Sequence, residues 1–102
     1  KMIVNISSIM ASIEKGAGPG EYIYRSSKAA LNMVMACYAQ EIVETGVGVV
    51  MFHPGWVQTD MGGPNATLTP TESITHLRAS IEKVGFKDTG KFFNYDGTPL
   101  PW

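Results

Sequence analysis

Residues 46–55 read Gly46-Val47-Gly48-Val49-Val50-Met51-Phe52-His53-Pro54-Gly55. Val47 to Phe52 is a short apolar run of strand length, rich in β-branched residues. His53-Pro54-Gly55 ends it abruptly, because proline cannot continue a central ladder. Gly46 is a helix stop. The helix before it is read from Tyr22 or Tyr24 to Glu44, since Ala29, Ala30, Leu31, Met33, Met35, Ala36 and Ala39 are good helix formers. Apolar residues cover most of its circumference, so burial on more than one side is expected. Further upstream, Met2 to Ser7 is a second apolar run with little alternation, as expected for a strand covered on both faces. Ser7 to Glu21 is read as a loop, punctuated by Gly16, Gly18, Pro19 and Gly20.

Downstream, Gln58 to Thr69 is a polar, glycine-rich loop with no period. Thr69-Pro70-Thr71-Glu72 is a capping box with proline at the first helical position. Ile74, Leu77, Ile81 and Val84 mark one face of the helix that follows, and Gly85 closes it. Lys91 to Tyr95 is a third strand, Asp96-Gly97 a turn, and Thr98 to Trp102 an irregular tail. The order strand-helix-strand-helix-strand predicts an α/β fold, with a parallel sheet and right-handed crossovers. Such a sheet needs both faces covered. Three strands and two helices leave apolar surface open, so the expectation is that the rest of the same sheet is missing. The start, Lys1-Met2-Ile3, already inside an apolar run, is read as a truncation.

The 102 residues have a net charge of −1, which gives no electrostatic case for nucleic acid or an anionic membrane. A hydrophobic content of 44% is too high for disorder. No apolar run reaches membrane-spanning length and no signal peptide is visible, so a cytoplasmic protein is expected. Cys37 is the single cysteine, which excludes an internal disulfide. It is expected to be a buried packing thiol. No His, Cys or Asp spacing fits a metal site.

Tyr24 and Lys28 are four residues apart, a spacing that stacks both on one helix face. A cation beside a phenol favours the phenolate and brings tyrosine toward useful acid–base chemistry. Ser8 stands just beyond the carboxyl end of the first strand, where open parallel sheets bind ligands. From spacing alone two readings stand. These three converge on one reacting oxygen, or they are a loop serine, a surface tyrosine and a solvated lysine. His53 is expected to be packed or bonded to backbone rather than a base, and His76 to be exposed. Asn65-Ala66-Thr67 matches a glycosylation acceptor but is read as loop polarity.

Three stretches taken together resemble the short-chain dehydrogenase/reductase family. They are Asn5-Ile6-Ser7-Ser8, Tyr24-Arg25-Ser26-Ser27-Lys28-Ala29-Ala30-Leu31-Asn32, and His53-Pro54-Gly55-Trp56-Val57-Gln58-Thr59-Asp60-Met61-Gly62-Gly63. The closing Gly90 to Gly97 fits as well. Within the family, the similarity is strongest to the sniffer-type carbonyl reductases and the related C-factor group.

The resemblance implies residues 1–102 of a Rossmann fold, its carboxyl-terminal portion, without the amino-terminal dinucleotide-binding half. It implies hydride transfer between NADP or NAD, with NADP favoured, and a small carbonyl or alcohol. Ser8 would orient the carbonyl, with Ser7 as the fallback. Tyr24 would be the acid or base, and Lys28 would bind the nicotinamide ribose and lower the tyrosine pKa. Pro54 and Gly55 would border the nicotinamide, Val57 would meet its carboxamide through backbone, and Thr59 would bind near carboxamide and phosphates. Ile9, Met10 and Trp56 would face the substrate, with Ser8, and Met61 to Thr69 would cover it. The family's TGxxxGxG loop and catalytic asparagine are absent, and Asn5 and Asn32 do not fill that role. A homo-oligomer through the long helix is allowed. So is a non-catalytic binding or signalling protein of C-factor type on the same fold.

Overall fold

The computed structural model describes residues 1–102. Three strands, β1 (Met2–Ile6), β2 (Gly48–His53) and β3 (Phe92–Asn94), form a parallel sheet in the order β1-β2-β3. Between them run α1 (Ile13–Gly16), α2 (Tyr22–Glu41) and α3 (Pro70–Lys83). The expected strand-helix-strand-helix-strand order therefore holds, with α1 as an additional single turn.

The central strand is apolar because it is covered on both sides. Val49, Val50, Met51 and Phe52 are fully buried. Alternation along the strand divides them. Val49 and Met51 join Phe92 against Ala39 of α2, while Val50 and Phe52 join Phe93 against Leu77 of α3. The Phe52 and Phe93 rings stack at a tilt, 5.4 Å between centroids. The start of α3 is the expected capping box. The Thr69 hydroxyl accepts from the Glu72 N–H at 3.2 Å, and the Glu72 carboxylate accepts from the Thr69 N–H at 2.7 Å. The Thr69 hydrogen bonds hold the Glu72 carboxyl below its ordinary pKa.

Several expectations are corrected. Helix α2 is not buried on more than one side. Asn32 and Ala39 are its only fully buried residues, while Ile23 is 87% and Met33 66% exposed. One stripe at helical spacing, through Asn32, Met35, Ala36 and Ala39, rests on the sheet. The opposite stripe has nothing in the chain to pack on. Cys37 lies there, so it is exposed rather than a buried packing thiol.

The helix also ends at Glu41, before a 3₁₀ turn at Val43–Thr45 and a left-handed Gly46. Strand β1 is not covered on both faces, since Ile3 and Ile6 are exposed. Strand β2 sits one residue later than read, and β3 is shorter at both ends.

The stretch from Ser7 to Glu21 is no featureless loop. It holds a 3₁₀ turn at Ile9–Ala11 and then α1, opened by Ser8 and Ser12 respectively. Each serine oxygen accepts from a backbone N–H two or three residues on, the usual N-cap bond. The tail is anchored. The Trp102 carbonyl accepts from the Ile13 and Glu14 N–H groups and from the Ser12 hydroxyl. No helix is long and apolar enough to cross a membrane.

Candidate active site

The carboxyl ends of β1 and β2, the first turn of α2 and the loop after β2 enclose a cleft of about 930 Å³. It lies where an open parallel sheet is expected to bind its ligand. Ser7, Ser8, Ile9, Met10, Tyr24, Pro54, Gly55, Trp56, Val57 and Thr59 all line it. Lys28 alone of the expected site residues stands outside its wall.

Ser8 is 6% exposed, and its Oγ accepts from the Met10 N–H at 3.1 Å. That bond uses a lone pair and leaves the hydroxyl hydrogen free to donate. Ser7 extends the ladder by donating its N–H to the Phe52 carbonyl at 2.7 Å, but its Oγ has no partner.

Helix α2 begins after two left-handed residues, Gly20 and Glu21. The Arg25 guanidinium donates to the carbonyls of Gly16 and Gly20, which ties the preceding loop to the first turn. Tyr24 and Lys28 then occupy successive turns. The Lys28 Nζ is 5.9 Å from the Tyr24 ring centroid and donates to the Ile6 carbonyl at 3.4 Å. The lysine thus links α2 to the end of β1, beside the tyrosine.

The turn after β2 depends on a glycine packed closely against its neighbours. Gly55 has φ +88°, and a side chain there would run into Leu68 and the Tyr95 ring. The Val57 N–H finds no acceptor within the chain. The Thr59 Oγ1 accepts from the Gly62 N–H at 3.1 Å and donates to the Val57 carbonyl at 3.5 Å, a long bond that a better acceptor can replace. The Trp56 indole donates to the Gly62 carbonyl at 2.8 Å. Only Met61 and Gly62 of the 61–69 segment reach the cleft. The rest folds back, with Val57 paired to Leu68 and the Gln58 amide donating to the Ala66 carbonyl.

His53 follows the packed alternative of its expectation rather than the backbone-bonded one. Its side chain makes no backbone hydrogen bond; it lines the cleft, with Nδ1 buried and unpartnered. Burial lowers its pKa from 6.5 to about 4, so the ring is neutral near pH 7. Its place at the end of a strand was the signal available in the sequence. Ser73 and Glu21 also line the cleft and went unnoticed, because each depends on a packing angle rather than on a motif. His76 is exposed, as expected. No group of three or more His, Cys, Asp or Glu side chains could hold a metal.

A cleft with a hydroxyl donor, a phenol and an adjacent ammonium can polarise a carbonyl and exchange a proton with its oxygen. Known proteins share this arrangement of the chain. The C-signal protein of Myxococcus xanthus is 40% identical over 102 residues, covering 100% of this chain and 61% of its own length. The carbonyl reductase Sniffer of D. melanogaster superposes with a TM-score of 0.95 at 44% identity, over 99% of this chain and 41% of that one. An NADPH-bound carbonyl reductase from chicken fatty liver superposes with a TM-score of 0.90 at 38% identity, over 99% of this chain and 42% of that one. The chain thus spans less than two thirds of each of these relatives. The family model for short chain dehydrogenases matches residues 2–68. With the parallel sheet, the cleft and that match together, the chain belongs to the short-chain dehydrogenase family.

Proposed function

We propose that residues 1–102 are the carboxyl-terminal portion of one Rossmann domain of an NAD(P)-dependent carbonyl reductase, acting on a small carbonyl or alcohol. The observation that carries this reading is the convergence of Ser8 and Tyr24 on one cleft, with Lys28 held beside the tyrosine. The bound nicotinamide supplies the hydride. The Ser8 hydroxyl, its lone pair occupied by the Met10 N–H, donates to the substrate carbonyl oxygen. The Tyr24 phenol gives that oxygen its proton in reduction and takes it back in oxidation. Lys28 presents a positive charge to the phenol and to the ribose hydroxyls. The free Val57 N–H and the Thr59 hydroxyl suit the carboxamide and its neighbouring phosphates, and Pro54 and Gly55 border the ring. Ile9, Met10 and Trp56 form the apolar wall for the substrate body.

NADP is favoured by the NADP-bound relatives. The open apolar stripe of α2 and the exposed Ile3 and Ile6 support both a missing amino-terminal half of the sheet and a homo-oligomer through α2. Only 17 of 102 residues are buried, a small core for a domain that stands alone.

The test uses the full-length protein that carries this segment. It oxidises NADPH or NADH when a small aldehyde or ketone is added, and Ser8→Ala lowers kcat by about 10²- to 10³-fold. Cofactor binding without turnover across a broad carbonyl panel would instead support a non-catalytic binding or signalling protein. That second reading draws on the likeness to C-signal.

A further inference from the structure

The register of β1 and β2 continues one step past the strands. Ile6 opposes Phe52, and the Ser7 N–H bonds the Phe52 carbonyl, so Ser7 lies beside His53. Alternation fixes which way both side chains face. Val49 and Met51 of β2 pack on α2, and His53 is two residues further on. Met2 and Val4 of β1 pack on the α3 side, so Ser7 has the opposite parity. Both therefore face α2, the helix that carries Tyr24.

The two residues share a deficit. Ser7 Oγ and His53 Nδ1 are buried without a protein partner, and Ser7 is only 3% exposed. Native structures seldom leave such atoms unpaired. A serine hydroxyl donates readily to an imidazole lone pair, directly after rotation or through one water. A bond to Nδ1 assigns the ring proton to Nε2. No hydrogen bond engages Nε2 and it is not among the buried unpartnered atoms, so of the two nitrogens it is the one a ligand in the cleft can reach.

We propose that His53, oriented by Ser7, is a specificity-determining residue whose Nε2–H binds a second acceptor oxygen on the substrate, apart from the carbonyl held by Ser8 and Tyr24. This rests on the reductase reading above. Ile9, Met10, Trp56 and Met61 make the surrounding wall apolar. A substrate without the second oxygen leaves the donor dry and unpaired, which is how a hydrogen-bonding site rejects an analogue. The ring is on the α2 side with Tyr24, while the unused Val57 N–H is available to the cofactor amide.

The experiment compares kcat/KM for a 3-oxo ester with that for the simple ketone lacking the ester, using the full-length protein and NADPH. His53→Leu lowers the ester-over-ketone ratio about tenfold. His53→Gln, which keeps an N–H donor, retains most of it, and Ser7→Ala lowers it by a smaller factor. A ratio unchanged within twofold in His53→Leu overturns the proposal, whether both rates fall together or neither moves. So does a raised KM for NADPH with the ratio intact, which assigns the ring to the cofactor. If His53→Leu does not fold, the Ser7→Ala ratio decides in the same way. Turnover of neither substrate by the unsubstituted protein overturns the reductase reading, and this proposal with it.

Discussion

The two faces of β2 are both buried, yet they treat polar groups differently. On the α3 face, Val50, Phe52, Leu77 and Phe93 form a dry cluster. The buried serines of α3 are satisfied: Ser73 donates to the Pro54 carbonyl at 2.7 Å and Ser80 to the Tyr95 carbonyl at 2.8 Å. On the α2 face, the cluster of Ala39, Val49, Met51 and Phe92 gives way to polar residues toward the strand ends. There Ser7, Asn32 and His53 leave four buried side-chain atoms without a partner, the full set in the molecule. One face is a completed scaffold that fixes the turn after β2. The other keeps spare hydrogen-bonding capacity beneath Tyr24 and Lys28, where water or a ligand has polar atoms to meet.

Breaking the scaffold face has the largest expected effect on stability. In the full-length protein, Phe52→Ala destabilises by about 3–5 kcal/mol through lost burial and the cavity left behind. Denaturant unfolding measures it. A loss below about 1 kcal/mol would mean that this cluster does not hold the sheet to α3.

A smaller effect sharpens the polar face. His53 has a folded pKa of about 4 against 6.5 in the unfolded chain. Between those values the unfolded state binds more protons, so stability rises with pH. His53's contribution is complete above about pH 6.5 and is lost as pH falls toward about 4. Hydrogen bonds hold the carboxyls of Glu72, Asp88 and Asp96 below their ordinary pKa, so their titration falls at the acid end of that range or beyond it. Unfolding curves of His53→Gln between pH 4 and 6.5 isolate the histidine. The substitution flattens the slope there, and an unchanged slope would place the titrating group elsewhere.

What the sequence disclosed follows the range of the forces involved. The capping box of Thr69 and Glu72 and the stop at Pro54 depend on neighbouring residues only, and both were legible. So was the parallel order, because apolar runs alternate with a helical stretch. Helix α2 misled because apolar residues surround it. Which stripe meets the sheet is decided by packing, and Cys37 falls on the other one. The turns opened by Ser8 and Ser12 are too short to show a period. His53 was legible as a strand end but not as a wall of the cleft, because its direction depends on strand parity relative to α2. Tyr24, Lys28 and Ser8 were legible as a set only through a family resemblance, since their spacing alone also fits an ordinary surface.

The central claim is that Tyr24 transfers the proton. In the full-length protein, Tyr24→Phe removes only the hydroxyl from a half-buried ring. The measurement is kcat for NADPH-dependent carbonyl reduction, read beside the thermal unfolding midpoint of the same sample. The account predicts a fall of about 10²- to 10⁴-fold with the midpoint unchanged. Turnover within tenfold of the unsubstituted protein would contradict it.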